Sequence, residues 1–263
     1  MNQSVNQLIE HFGEQQVIAF FAVLARISPL FAIAPLFSSK NVPTRVRAIV
    51  AVGLAVGLTP VVARGVHLSS DPWELGGVIG KEMLVGFAFA FALAALFAAL
   101  QVAGSFIDTL IGFSFGGLVD PITGNQSAVL SQMYSLLGVM IFIAIGGDAW
   151  VIQGLARTYD VVGLDQLPDL GTLVAGADHA FVNIFLAAIQ ISGPVVLALI
   201  LTDAAFGVVS RVVPQLNVFA VGFPAKITVG LLVIGISLPL VGGWLADQVQ
   251  QSVFDALHTL KVA

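Results

Sequence analysis

Three kinds of side chain in this sequence could do chemistry: serines, histidines and acids at membrane depth. A hydrolytic serine needs a base within hydrogen-bond reach. Ser114 and Ser131 have no histidine near them, and there is no G-x-S-x-G pattern. The four histidines, His11, His67, His179 and His258, are scattered at chain margins and connections. None is paired at the i, i+4 spacing of metal-binding helices, and a single histidine in a connection is ordinarily just solvated. An intramembrane aspartyl protease needs two facing acids. Asp148 and Asp160 instead flank one span end, where acids stop a helix at the interface. No phosphate-binding Gly-rich loop follows a strand, and the chain contains no cysteine, which removes disulfides, thiolate metal sites and Cys nucleophiles together. These patterns predict no enzyme, no cofactor and no metal site. Asp108 and Asp203 suggest a different chemistry. Acids at membrane depth beside broken helices are what secondary transporters use for substrate and coupling ions. Transporters also show two related halves and a polar midplane site. Here no repeat is visible and the apolar stretches hold few polar residues.

The elements that carry these residues are apolar to an unusual degree. Of 263 residues, 58% are hydrophobic and 10% charged, against roughly 25% charged in a soluble domain. Mean hydropathy is +1.00. This composition belongs to an integral membrane protein and excludes a soluble module. A net charge of −5 excludes a nucleic-acid-binding surface as a primary role. The first 25 residues have acids but no Lys or Arg, which predicts no cleavable leader at this end.

Six apolar stretches are expected to be helical spans, at 15–37, 46–63, 76–103, 128–152, 180–202 and 218–246. Several make poor lipid-facing helices. The first holds Arg26, Pro29 and Pro35, the second ends at Pro60, the fifth has Gly193-Pro194, and the sixth has Pro224 and Pro239. Proline frees a carbonyl that must find another partner in lipid, so the pattern predicts protein rather than lipid around much of the chain. Ala88, Ala92, Ala95 and Ala99 form a small-residue stripe in the third span, and "GLAVG" (53–57) offers the same in the second. Both suit close helix approach, within the subunit or across an interface. The bases Lys40, Arg45 and Arg47, then Arg211 and Lys226, put the connections 38–47 and 203–226 in the cytoplasm and both termini outside.

The segment "GFSFGGLVDPITGNQ" (112–126) interrupts this pattern. It is too broken for a helix and too apolar for a wet loop. Residues 104–111 can be helical, after which the Gly pair and Asp-Pro turn the backbone. Non-helical backbone at membrane depth is tolerated inside protein or lining a cavity. Two readings remain: a turn packed on the core, or a flexible apolar stopper in a conduit.

Three blocks, "ARISPLFAIAPLFSSKNVPTRVRAIVAVGLAVGLTP" (25–60), "GFSFGGLVDPITG" (112–124) and "SRVVPQLNVFAVGFPAKI" (210–227), resemble the FliR family. This is the R component of the flagellar type III protein-export gate, with a counterpart, the T component, in the injectisome export apparatus. The likeness covers nearly the whole chain in order. Its last block is the most specific, through Arg211, Pro214, Gln215, Asn217, Phe219, Gly222, Phe223, Pro224 and Lys226. The basic "SSK-x-VP-x-RVR" block favours the flagellar branch.

The resemblance implies an all-α, integral membrane-associated protein with about six apolar, partly kinked segments and a non-helical central loop. Residues 1–263 would be a single subunit, with 1–127 a P-like part and 128–263 containing a Q-like helical hairpin. It implies a gate in the bacterial inner membrane at the flagellar basal body. The implied partners are FliP, FliQ, FlhB and FlhA, with membrane lipid around them and unfolded flagellar proteins as cargo. The family's loop is a channel plug. Carried onto this chain it spans about 106–122 and uses Phe106, Gly112, Phe113, Phe115, Gly116, Gly117, Leu118, Val119, Asp120 and Pro121. The block at 210–227 is implied to be a subunit interface; the residues themselves fit a kinked turn between helices equally well. Family subunits sit largely above the bilayer plane, which would account for Arg26 and the prolines.

Overall fold

The computed structural model describes residues 13–34, 37–38, 42–63, 66, 68–69, 71–113, 129–215 and 217–259. Among these the regular structure is helical: α1 (Glu14–Ile33), α2 (Thr44–Val62), α3 (Pro72–Ile111), α4 (Val129–Ala144), α5 (Gly147–Val161), α6 (Leu170–Val212) and α7 (Val218–Thr259). Several starts are written into the sequence. Asp71 Oδ1 accepts the Trp73 amide at 2.8 Å, with Pro72 in the first helical position, where a missing N–H costs nothing. Asp169 Oδ1 accepts the Gly171 amide at 2.9 Å ahead of α6. Asn217 Oδ1 accepts the Ala220 amide at 3.2 Å at the head of α7.

The all-α expectation holds, and the spans fall close to their expected places with three corrections. The expected fourth span, 128–152, is two helices. Gly146 adopts a left-handed backbone, φ 70°, and breaks α4 from α5; Gly is the residue that does this without strain. The expected connections 153–179 and 203–226 are mostly helix, with 162–169, 213–215 and 217 irregular among the described residues. Charged residues there mark where a helix can meet a polar setting, not where it ends. Pro60 does not end α2, which runs on to Val62.

Helices also continue through Pro29, Pro194, Pro224 and Pro239. Near three of them a serine hydroxyl bonds back to the previous turn: Ser28 to the Leu24 carbonyl at 2.6 Å, Ser192 to Ala188 at 2.7 Å, and Ser237 to Ile234 at 3.0 Å. Such back-bonding gives each hydroxyl an acceptor within its own apolar helix.

The described residues group into two compact units. The first draws on Met1–Ala94, Gly146–Ala180 and Val249–Ala263, the second on Ala95–Ile145 and Phe181–Gln248. In the first, α1 packs on α2, whose Ala51, Ala55 and Thr59 are buried. Gly86 of α3 lies so close to α1 that a Cβ there would overlap the Arg26 carbonyl. Val85, Val162 and Leu173 form an apolar cluster. In the second unit, α3 and α4 meet backbone to backbone. A Cβ on Gly104 would come within 2.6 Å of the Ser131 Cα. Phe97 and Phe142 pack with ring centroids 5.5 Å apart, and Ala95 and Ala99 of the expected stripe are buried. By contrast, Gly53 and Gly57 of "GLAVG" face open space.

Candidate functional site

The most polar place in the first unit surrounds Arg26, the base that sits oddly in the first apolar stretch. Arg26, in the middle of apolar α1, is fully buried beside the equally buried Glu82 of α3. Its Nε and Nη2 donate to the two Glu82 oxygens at 2.5 and 2.9 Å, a bidentate pair. Nη1 donates to Thr158 Oγ1 at 3.2 Å and Nη2 also to the Val162 carbonyl at 2.9 Å. The guanidinium carbon stands 3.9 Å from the Tyr159 ring centroid. Next door, Lys81 Nζ donates to the carbonyls of Gly163, Leu164 and Gln166 at 3.3, 2.5 and 2.7 Å, and lies 3.6 Å from Glu82. Two cations and one anion are thus enclosed, and the surplus positive charge rests on four backbone carbonyls of 162–166. Every partner is fixed, so this cluster fastens α1, α3 and the α5–α6 connection together and presents no open group for a ligand. A signal was available: a buried arginine calls for an acid, and "GKE" (80–82) sits at the head of the third span.

Of the expected plug residues, Phe106, Gly112 and Phe113 are described. Phe106 is half-buried in the last turns of α3. Helix α3 ends at Gly112, whose φ is 100° and whose amide donates to the Asp108 carbonyl at 3.1 Å. This is the glycine-terminated helix end that an L side chain resists. Phe115, Gly116, Gly117, Leu118, Val119, Asp120 and Pro121 lie outside the described residues. Within the second unit, α3 and α4 are joined by side-chain hydrogen bonds. Asp108 is buried, and its Oδ1 accepts the Leu130 amide in the first turn of α4 at 3.3 Å. Ser131 Oγ donates to the Gln101 carbonyl at 2.9 Å, and Gln101 Nε2 donates to Ser135 Oγ at 3.3 Å. The end of α3 and the start of α4 are therefore held side by side.

The block 210–227 resolves into a turn and a helix start. Arg211, Pro214, Gln215, Asn217, Phe223 and Pro224 are exposed and Gly222 is buried. Pro214 and Gln215 lie in a turn, and Phe219 to Lys226 are helical. Lys226 Nζ pairs with Asp203 Oδ2 of α6 at 2.9 Å. Asn217 caps α7, a role that needs no partner subunit. Among the described residues, no group of three His, Cys, Asp or Glu side chains could hold a metal ion.

Five helices are long and apolar enough to cross a membrane, six if the bent α4–α5 pair counts as one span. Together these helices define a helical membrane protein. Residues 17–252 match the family described as bacterial export proteins, family 1. The chain belongs to that family, the FliR family that its sequence blocks resemble. It is 34% identical over 240 residues to the flagellar biosynthetic protein FliR of Bacillus subtilis (strain 168), covering 90% of each chain. It is 29% identical over 226 residues to FliR of Escherichia coli (strain K12), covering 84% of this chain and 85% of that one. The surface presentation of antigens protein SpaR of Shigella sonnei is 25% identical over 219 residues, with 83% and 84% covered.

Proposed function

We propose that this chain is a structural and gating subunit of the flagellar type III export gate in the bacterial inner membrane, at the flagellar basal body. It forms part of the protein-conducting channel beside FliP and FliQ, meets FlhB and FlhA, and passes unfolded flagellar proteins without catalysing a reaction. Residues 1–127 supply its P-like part, and the α6–α7 hairpin its Q-like part. The loop between α3 and α4 plugs the channel at rest. Phe113, Phe115, Leu118 and Val119 would exclude water from the path, while Gly112, Gly116 and Gly117 let the backbone move.

The observation that carries this reading is the mismatch between helix length and bilayer thickness. Helix α6 has 43 residues, about 64 Å at 1.5 Å per residue. It exposes large apolar side chains from Leu170 to Val212. The hydrocarbon layer covers only about 30 Å, so protein neighbours are needed for the rest. The alternative, a secondary transporter of a small solute, loses its anchors: Asp108 caps α4 and Asp203 is paired with Lys226.

Deleting Phe113–Val119 separates the readings. The gate reading expects assembly with the partner subunits to persist while expressing cells leak small ions. Loss of solute uptake without a leak would favour the transporter. Failure to fold would make the segment a packed turn.

A further inference from the structure

Helix α3 ends within the second unit, and its last turns are held from two sides. Ile107, Asp108 and Ile111 are all buried there. Residues 107 and 111 share one face of the helix, and 108 lies on the face beside it. Asp108 turns to α4, where its Oδ1 accepts the Leu130 amide. Ile111 turns to the α6–α7 hairpin. A Cβ on Gly230 of α7 would come within 2.6 Å of Ile111 Cδ1 and 3.1 Å of its Cγ1, with a Leu199 methyl of α6 at 3.5 Å. The space left by the absent side chain of Gly230 is therefore the space that Ile111 fills. The next residue, Gly112, takes φ 100° and ends the helix.

Gly235, Gly242 and Gly243 of the same helix have open space where a Cβ would stand, so Gly230 is set apart by what it receives. Glycine within a helix is less favourable than alanine, and here close packing gives a reason for it. Drawing α3 out of this seat would leave a void beside Gly230 and Leu199. It would also part the buried Asp108 carboxylate from the Leu130 amide. Both losses oppose movement, and they fall on different helices, α4 on one side and α6 with α7 on the other.

We propose that Gly230 is a positioning residue for the plug: it seats Ile111, and α3 keeps that seat through Ile111 both at rest and during export. Phe106 then belongs to the fixed part, and the plug begins at Gly112 rather than at Phe106. The α6–α7 hairpin, through Gly230 and Leu199, sets where it begins. This inference rests on the reading of the loop between α3 and α4 as the plug, and adds where that loop is anchored.

Two experiments on the full chain, assembled with its partner subunits in cells, test the seat. The first is a covalent lock, made simple by the absence of cysteine. Ile111 Cγ1 lies 3.1 Å from a Cβ on Gly230. The two Cβ atoms are then at most about 4.6 Å apart, near the separation that a disulfide spans. Ile111→Cys with Gly230→Cys is oxidised by copper phenanthroline, and secretion of flagellar protein is compared with that of Ile111→Cys treated alike. The disulfide should form, and the two should export at rates within about threefold of each other. A pair that does not couple, or a locked gate slower than that margin, overturns the inference.

The second experiment moves the side chain across the joint. Gly230→Leu should unseat Ile111 and raise the resting ion leak at least about threefold in complexes that still co-purify with their partners. Adding Ile111→Ala returns most of the volume and should bring the leak back to that of the unchanged chain. A role in packing alone would leave assembled complexes tight. The deletion of Phe113–Val119 is measured alongside. A leaking deletion beside a tight Gly230→Leu overturns this inference alone, as does a leak that Ile111→Ala fails to lower. A tight deletion overturns the plug reading and this inference with it. Should Gly230→Leu fail to assemble, the covalent lock decides.

Discussion

The buried charge cluster gives the sharpest quantitative prediction. Replacing Glu82 by Leu removes the buried anion that pairs with both bases and leaves Arg26 and Lys81 enclosed together, with two Arg26 donors that had bonded at 2.5 and 2.9 Å. Breaking one side of a buried ion pair costs roughly 3–5 kcal/mol, a large part of a total stability of about 5–15 kcal/mol. The converse change, Arg26→Leu, should be milder, because Glu82 keeps Lys81 at 3.6 Å. Two unit charges at that distance attract by about 4–5 kcal/mol at an effective dielectric of about 20. The double variant should cost less than the sum of the singles, by about 0.5–3 kcal/mol. A reversed pair, Arg26→Glu with Glu82→Arg, should not recover stability, since a carboxylate at position 26 would face the Val162 carbonyl and the Tyr159 ring. Equilibrium unfolding of the purified chain by SDS in mixed micelles, followed by the fluorescence of its three tryptophans, measures each value. A cost under about 1 kcal/mol for Glu82→Leu, or a cost for Arg26→Leu as large as that for Glu82→Leu, would show that Glu82 does not hold the cluster together.

The glycines divide into two classes that the same assay separates. Gly86→Ala should destabilise by about 1–3 kcal/mol, because its Cβ meets the Arg26 backbone, which cannot rotate away. Gly53→Ala and Gly57→Ala should raise the stability of the isolated chain by about 0.5–1 kcal/mol each, as both lie on helix α2 facing open space. Gly112→Ala should cost about 1–2 kcal/mol from its left-handed backbone at φ 100°. Asp108→Ala should cost about 0.5–2 kcal/mol through loss of the α4 cap, and hydrogen exchange should rise first in the opening turn of α4.

Most of the fold was legible because apolar length is a strong signal. A run such as "MLVGFAFAFALAALFAAL" leaves little choice but a buried or lipid-facing helix. Local punctuation was less decisive. Gly146 breaks the apolar stretch 128–152 into two helices, while helix continues through Pro29, Pro194, Pro224 and Pro239. By its place in the sequence Lys226 belongs to a connection. Its role as the partner of Asp203 depends on helical register, which composition does not carry. The Arg26–Glu82 pair joins residues 56 apart in sequence, so only the fold brings them together. Asn217 shows the opposite limit: a residue assigned to an interface by resemblance has a sufficient local task as a helix cap. Arg211, Gln215 and Phe223 remain exposed and available to a partner.

The claim that this chain works as one subunit of a larger export gate is tested most directly by its native mass. The chain would be extracted in mild detergent after expression alone and after expression with its P and Q partner subunits. The account predicts that the partners co-purify in one large complex of fixed composition. A monomer or dimer that ignores those partners would contradict it.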